Sequence, residues 1–407
     1  MSESPQQRAL QAGTAEWGHN WRPTTLVKAP GRLELLGNHV DYNGGLVLAA
    51  AVEQHIVMAI DTGGEAGTIA LLPSDVGSQV ITLDLAADAD WRNDGKPTGP
   101  AEYACGVLAA LAQAAIPAQD GLRVAIAGNV PLGYGMSSSA ALCVGYVLAF
   151  TDIELDSGQV VNLAREAEHR SGSPVGAMDQ SASIAGGVIL FDGRDTSFTA
   201  MEPKLGSLVF VVADSGVSHA IGTSSYPRRV EESAEALRIL QRDLGMSVPS
   251  LGELDPVAWE QSRNQFEVLA GPTLTRRVQH VVSEVQRVRE GRAAAEAGDW
   301  TRFGELMTES GRSSSLDFEI SHPLVDELVA EILAVDGVLG ARMMGGGEGG
   351  PALALVHADA IPELRTRLTA GYFQRQESHL KGERLLEASF GQGARRTGWE
   401  AVDLVSA

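Results

Sequence analysis

The chain has 407 residues, 44% hydrophobic and 20% charged, with 46 glycines and 17 prolines. That is the make-up of a folded protein long enough for roughly two domains, and it excludes disordered and collagen-like chains. With 52 acidic against 31 basic residues the formal net charge is −21, and no Lys/Arg block stands out to track a phosphate backbone or an anionic lipid surface, so neither nucleic acid nor membrane is an expected partner.

The N-terminal MSESPQQRALQAG lacks a basic-then-apolar leader, and no apolar run reaches the roughly 18 residues of a membrane span, so a cytoplasmic protein is expected. From Leu26 to about Asp61 the runs TTLVKA, GLVLAAAV and HIVMAI, separated by Gly and Asn, predict a strand-rich region. Among these runs lies GRLELLGNHVDYNGG, where Arg32, Asn38, His39 and Asp41 crowd together donors and acceptors suited to a polyhydroxylated ligand. The only cysteines, Cys105 and Cys143, sit in the apolar, helix-like runs EYACGVLAAL and AALCVGYVLAF, which predicts two buried thiols in a reducing compartment and no disulfide.

DGLRVAIAGNVPLGYGMSSSAALCVGYVLAF then passes from an alternating strand through a Gly/Pro loop into an apolar helix starting near Ser138. Gly133 and Gly135 let that backbone approach a ligand closely, and a serine-started helix offers unpaired N–H groups to phosphate. The loop lacks the Gly-Lys-Ser/Thr ending of a Walker A motif and the spacing of a dinucleotide fingerprint. Ahead of it, Trp91 and Tyr103 are candidate adenine contacts.

Next, SGQVVNLAREAEHR has helical period and places Glu168 near its end, where a carboxylate beside phosphates suits Mg²⁺. Asp179 follows on what reads as a glycine-lined loop, SGSPVGAMDQ, positioned to face a substrate hydroxyl. After the strand VILFD, Pro203 to Gly206 suggests a boundary between domains 1–205 and 206–407. The second half opens with the strand SLVFVVADSG, continues through charged helices over about 228–243 and 276–297, and reaches GVLGARMMGGGEGGPALALV. Its glycines, from Gly345 to Gly350, are expected between a helix and a strand, with backbone close to a ligand.

Four of these segments, in this order, resemble the motifs of the GHMP small-molecule kinases, and specifically their galactokinase branch: APGRLELLGNHVDYNGG, PLGYGMSSSA, GAMDQ and GARMMGGGEGG. The resemblance implies an α+β fold of two domains, an N-terminal ribosomal-protein-S5-like domain and a C-terminal ferredoxin-like domain, with the site in the cleft between them. It implies ATP and Mg²⁺ as cofactors and phosphorylation of a sugar, most readily galactose, at the anomeric C1 hydroxyl by a monomeric enzyme. The alternatives are a 1-kinase for an N-acetylhexosamine or arabinose and a non-catalytic galactose-sensing regulator.

By the same resemblance Asp179 is the catalytic base and Arg32 holds it and stabilises the transferring phosphoryl group. Ser139 and Glu168 hold the metal. Gly133, Tyr134, Gly135, Met136, Ser137, Ser138 and Ser139 wrap the ATP phosphates, and Asn38, His39, Asp41, Gly176 and Tyr226 contact the sugar. Asn38 replaces the glutamate usual in this branch, Met344 a threonine and Glu348 a phenylalanine, and the interval from Glu168 to Asp179 is similar to that of mevalonate kinases.

Overall fold

The structure, a computed structural model, describes residues 3–77, 79–85, 99–217, 225–376 and 383–399. Its first helix, α1 (Pro5–Trp17), is closed by a capping box in which the Ser4 and Gln7 side chains each bond the other's backbone N–H. The apolar runs that follow form two long strands rather than three short ones, β1 (Thr25–Leu36) and β2 (Leu46–Asp61). The polar Glu53–Gln54–His55 does not end β2, because it lies where that strand exchanges one neighbour for another along its far edge.

Then come β3 (Thr68–Pro73), β4 (Ile81–Asp84), α2 (Pro100–Gln113), β5 (Leu122–Gly128), α3 (Ser138–Phe150), α4 (Ser157–Arg170), α5 (Met178–Ala185), β6 (Val188–Asp192) and β7 (Ser197–Met201). The second half contributes β8 (Leu208–Asp214), α6 (Tyr226–Arg242), α7 (Pro256–Ala297), α8 (Trp300–Leu316), α9 (Pro323–Leu333), β9 (Val338–Met343), β10 (Pro351–His357), α10 (Ile361–Ala370), α11 (Tyr372–Arg375), β11 (Leu385–Ala388) and β12 (Arg395–Gly398).

Two sheets organise these elements. Among the described residues the first has eight strands in the order β12-β1-β2-β5-β3-β4, with β6 against β2 and β7 against β6, and of these pairs only β3 and β5 run parallel. The second has four antiparallel strands, β11-β8-β10-β9, in the β-α-β-β-α-β chain order of a ferredoxin-like unit, with α6 to α9 inserted after its first strand. Helix α3 is apolar on every side and is correspondingly buried, packed on β1 and β2 and against α2 and α4. Helix α7 breaks at Gly271–Pro272, where Gly271 takes φ 79° and the proline cannot donate to the helical ladder.

The boundary expected at Pro203–Gly206 falls between β7 of the first sheet and β8 of the second. Sheet membership departs from a division at 205/206, because β12 returns from the second half to pair with β1, Thr25 facing Gly398. The glycine-rich segment is also placed differently from expectation. It joins two antiparallel strands, β9 and β10, with Met343 opposite Ala352, because the run VLGARM before it is a buried strand and the helix ahead has already ended at Leu333. Cys105 and Cys143 are buried free thiols. Among the described residues no helix is long and apolar enough to cross a membrane.

Candidate active site

Arg32 is carried on the regular stretch of β1 between two irregularities in its pairing with β2, and it is 5% exposed. Its guanidinium grips Asp179 with two parallel bonds, Nε to Oδ1 at 2.6 Å and a terminal nitrogen to Oδ2 at 2.8 Å, and donates to the Gly135 carbonyl at 2.5 Å. Burial pushes the guanidinium pKa down, but the Asp179 carboxylate more than offsets this, so the arginine stays charged. One residue earlier, Gly31 has no room for a side chain: a Cβ there would lie 2.5 Å from the Met136 carbonyl. Strand β1 and the loop before α3 thus touch backbone to backbone, and the Arg32 N–H donates to that same carbonyl at 3.0 Å.

Asp179 sits in the first turn of α5, not on a loop. The Ser137 hydroxyl also donates to its Oδ2. Ser137 precedes α3 in a left-handed conformation, φ 52°, uncommon for a serine and held here by that bond. Ser138 and Ser139 then open α3 toward the same space.

Glu168, near the end of α4, is 3% exposed and accepts from the Gln180 amide and the Ser139 hydroxyl. Burial, and next the charge of Asp179, push its pKa up to about 7. The Ser139 hydroxyl and a Glu168 carboxylate that is costly to ionise without a nearby cation are hard oxygen donors that suit Mg²⁺. No group of three or more His, Cys, Asp or Glu able to hold a metal occurs among the described residues.

The cavity lined by Arg32, Gly133, Gly135, Ser137 to Ser139, Glu168 and the backbone of 344–347 measures about 240 Å³. A smaller compartment of about 40 Å³, lined by Glu34, His39, Asp41, Gly176 and Tyr226, adjoins it, and Arg32, Asp179 and Gly345 form walls of both. His39 is 3% exposed; its Nε2 donates to the Gly346 carbonyl at 3.2 Å, so Nδ1 accepts from the Tyr42 hydroxyl at 2.8 Å. Burial, then the neighbouring His280, lower its pKa to about 3, so the ring is neutral. Asp41 is pushed up to about 7 by burial and then by Asp179. Gly176 permits its approach, because a Cβ at that position would lie 1.8 Å from Asp41 Oδ2.

Most of the expected residues therefore meet around one divided cavity. Asn38 does not line it. Its side chain is fully buried, with the amide nitrogen donating to Glu34 Oε1 at 2.8 Å and to the Gly345 carbonyl at 3.1 Å, and its oxygen accepting from Ser314 at 3.0 Å. Tyr134 also turns away: its side chain is 4% exposed in the core and its hydroxyl donates to the Glu383 carbonyl. Glu348 is not on the wall of either compartment, and its backbone N–H bonds the Ile320 carbonyl. Tyr103, on α2, bonds the Ser139 hydroxyl, and Trp91 lies outside the described residues.

Three participants are absent from the sequence reading. Glu34 lines the smaller compartment, Arg342 of β9 pairs with Glu34 at 2.5 Å, and Glu284 of α7 accepts from the N–H groups of Gly37 and Asn38 at 3.0 and 3.1 Å. Glu34 had a signal: it is a charged residue two positions after Arg32 in an otherwise apolar strand, on the same face.

Comparison with known proteins bears on the same residues. A galactokinase galactose-binding signature matches residues 14–62, the GHMP kinases N terminal domain 102–187 and the GHMP kinases C terminal domain 292–374. The chain is 35% identical over 363 residues to the galactokinase of Homo sapiens, covering 86% of this chain and 88% of that protein. It is 34% identical over 388 residues to that of Streptomyces coelicolor, covering 92% and 94%. Among solved structures, Lactococcus lactis galactokinase complexed with galactose superposes with a TM-score of 0.83 at 28% identity, over 95% of this chain and 98% of that one. Methanococcus jannaschii mevalonate kinase shares the fold, with a TM-score of 0.60 at 16% identity over 91% and 99% of the two chains.

Proposed function

The chain belongs to the galactokinase family of GHMP kinases, and from that premise we propose that it transfers the γ-phosphoryl group of ATP to the anomeric C1 hydroxyl of galactose, giving galactose 1-phosphate and ADP. The observation that carries the reading is the doubly bonded Arg32–Asp179 pair on the wall common to both compartments. A sugar in the smaller one and a triphosphate in the larger meet there.

Phosphoryl transfer asks a protein chiefly to align its reactants and to neutralise charge. Asp179, held by Arg32 at both oxygens and by Ser137 at Oδ2, takes the proton of the attacking hydroxyl. Arg32 stabilises the transferring group from the other side of the same contact. The loop from Gly133 to Ser139 and the start of α3 present backbone N–H groups to the phosphates. Ser139 and Glu168 would hold Mg²⁺, which would supply charge neutralisation at the phosphate oxygens. His39, neutral and committed to Gly346 and Tyr42, shapes the sugar compartment together with Asp41 and Tyr226.

At about 40 Å³ that compartment holds little more than a water molecule, so a hexose enters as its walls part. Those walls come from both halves of the chain: Glu34 and Asp41 from the first, Tyr226 and Gly345 from the second. The working unit in this reading is a monomer in the cytoplasm, a reducing, ATP-containing compartment in which Cys105 and Cys143 stay free thiols.

The test is release of ADP with galactose, glucose, N-acetylgalactosamine and arabinose, with the product's phosphate position read by ³¹P NMR. Galactose is expected to be preferred and phosphorylated at C1. Turnover of glucose as fast as galactose would refute the sugar assignment, and no sugar-dependent ADP release at all would refute the kinase. Asp179→Asn is expected to lower kcat by roughly 10²- to 10⁴-fold, about 3 to 5 kcal/mol of barrier, while ATP still binds.

A further inference from the structure

We propose that Glu34 is the acceptor that selects the sugar at the end remote from the transferred phosphoryl group. This rests on the sugar-kinase reading above. Glu34 lines the smaller compartment, and its side chain is only 7% exposed. Both of the bonds that fix it fall on one oxygen: Arg342 donates to Oε1 at 2.5 Å and the Asn38 amide donates to it at 2.8 Å. Oε2 takes no hydrogen bond from the described residues. A nearly buried carboxylate is thus locked by one oxygen and presents the other as an acceptor with nothing to donate.

Its distance from the reacting centre follows from the strand. Arg32, Leu33 and Glu34 pair in unbroken register with Ala51, Ala50 and Ala49, so Arg32 and Glu34 project from the same face of β1, roughly 6.5 to 7 Å apart along the strand. Arg32 holds the base at one end of the compartment, so Glu34 stands about the length of a hexose ring away. It faces a hydroxyl at the far end, on C4 or C6. The two donors on Oε1 explain why Asn38 is buried behind the wall: it orients the acceptor instead of touching sugar. Arg342 sets a positive charge against this carboxylate, bonding Oε1, in a site poor in solvent. An acceptor of this kind favours a hydroxyl and disfavours a deoxy position, and it repels a carboxylate placed there.

The experiment compares kcat/KM of the full-length wild type for galactose, 4-deoxygalactose and 6-deoxygalactose with the same series for Glu34→Asp. That variant keeps the ion pair to Arg342 but withdraws the carboxylate from the compartment. In the wild type, loss of one of the two hydroxyls is expected to lower kcat/KM by roughly 10- to 100-fold. In Glu34→Asp the same deletion is expected to cost less than about threefold, because the contact is already gone. A double variant, Glu34→Gln with Asn38→Asp, preserves a carboxylate beside Arg342 and provides the same readout should the single variant fold poorly.

A wild type indifferent to both deletions overturns the proposal, as does a variant that keeps the wild-type sensitivity. In either case efficient galactose phosphorylation leaves the kinase reading standing. A folded wild type that binds ATP yet phosphorylates none of the three sugars overturns both.

Discussion

Asp41 is the residue whose replacement separates stability from pH most cleanly. Its carboxyl is partly buried near Asp179, and its pKa is raised from 3.8 to about 7. The native state therefore holds the proton more tightly than the unfolded chain. Stability from this group is present at low pH and is lost as pH rises through the native pKa. At about pH 5 the unfolded carboxyl is ionised while the native one is protonated, two pH units below its native pKa; at about 1.36 kcal/mol per unit this stabilises the native state by about 3 kcal/mol, and by about 2 if partial solvent access softens the effect. Near pH 8 the contribution has gone. Asp41→Asn supplies a permanently neutral isostere, so the variant is expected to gain about 2 to 3 kcal/mol relative to wild type between about pH 5 and about pH 8. Urea denaturation of both proteins at the two pH values measures this. A difference between them that does not change with pH would refute the burial argument.

Three other substitutions probe the site's construction. Gly176→Ala puts a methyl group where Asp41 Oδ2 now lies, 1.8 Å from the Cβ position; it is expected to raise KM for galactose by roughly tenfold or more while leaving KM for ATP nearly unchanged, as steady-state kinetics with each substrate varied would show. Glu284 is fully buried. Burial raises its pKa, but Arg287 and the neighbouring cations more than reverse this and hold it at about 2, below its ordinary 4.5. Its stabilisation is present above about pH 4.5 and lost toward pH 2, so Glu284→Gln is expected to destabilise by roughly 3 kcal/mol in urea melts near neutrality, with the gap narrowing in acid. His39, with its pKa at about 3, stays neutral over the working range; His39→Gln is expected to weaken galactose binding without shifting the pH profile of kcat/KM.

How far the sequence foretold this site depended on what held each side chain. Arg32, Ser139, Glu168 and Asp179 converge as the motifs implied, because the glycines beside them, Gly31 and Gly135, permit backbone approaches that only a few folds require. Asn38 could not be placed the same way. Its orientation is set by Glu34, Ser314 and Gly345, two of which are distant in sequence, and nothing in the local spacing of LLGNHVDY reveals such partners. Tyr134 looked like part of the phosphate wall because its neighbours are. Its ring instead fills core volume, as aromatics in tight loops often do when a carbonyl can take the hydroxyl. VLGARM was misjudged as helical context because its short apolar run with glycine carries no clear period, and only pairing with β10 makes it a strand.

The return of β12 to β1 matters for how the protein is made. The strand that bears Arg32 gains its outer neighbour only when Gly398 and Arg395 are available to pair with Thr25 and Lys28. At roughly 5 to 20 residues per second, a ribosome needs about 20 to 75 s to cover that interval. Throughout this time a long apolar strand has one ribbon of N–H and C=O groups open to any passing chain. Translation speed and nascent-chain crowding thus bear on the yield of active enzyme through an edge that is invisible once synthesis is complete.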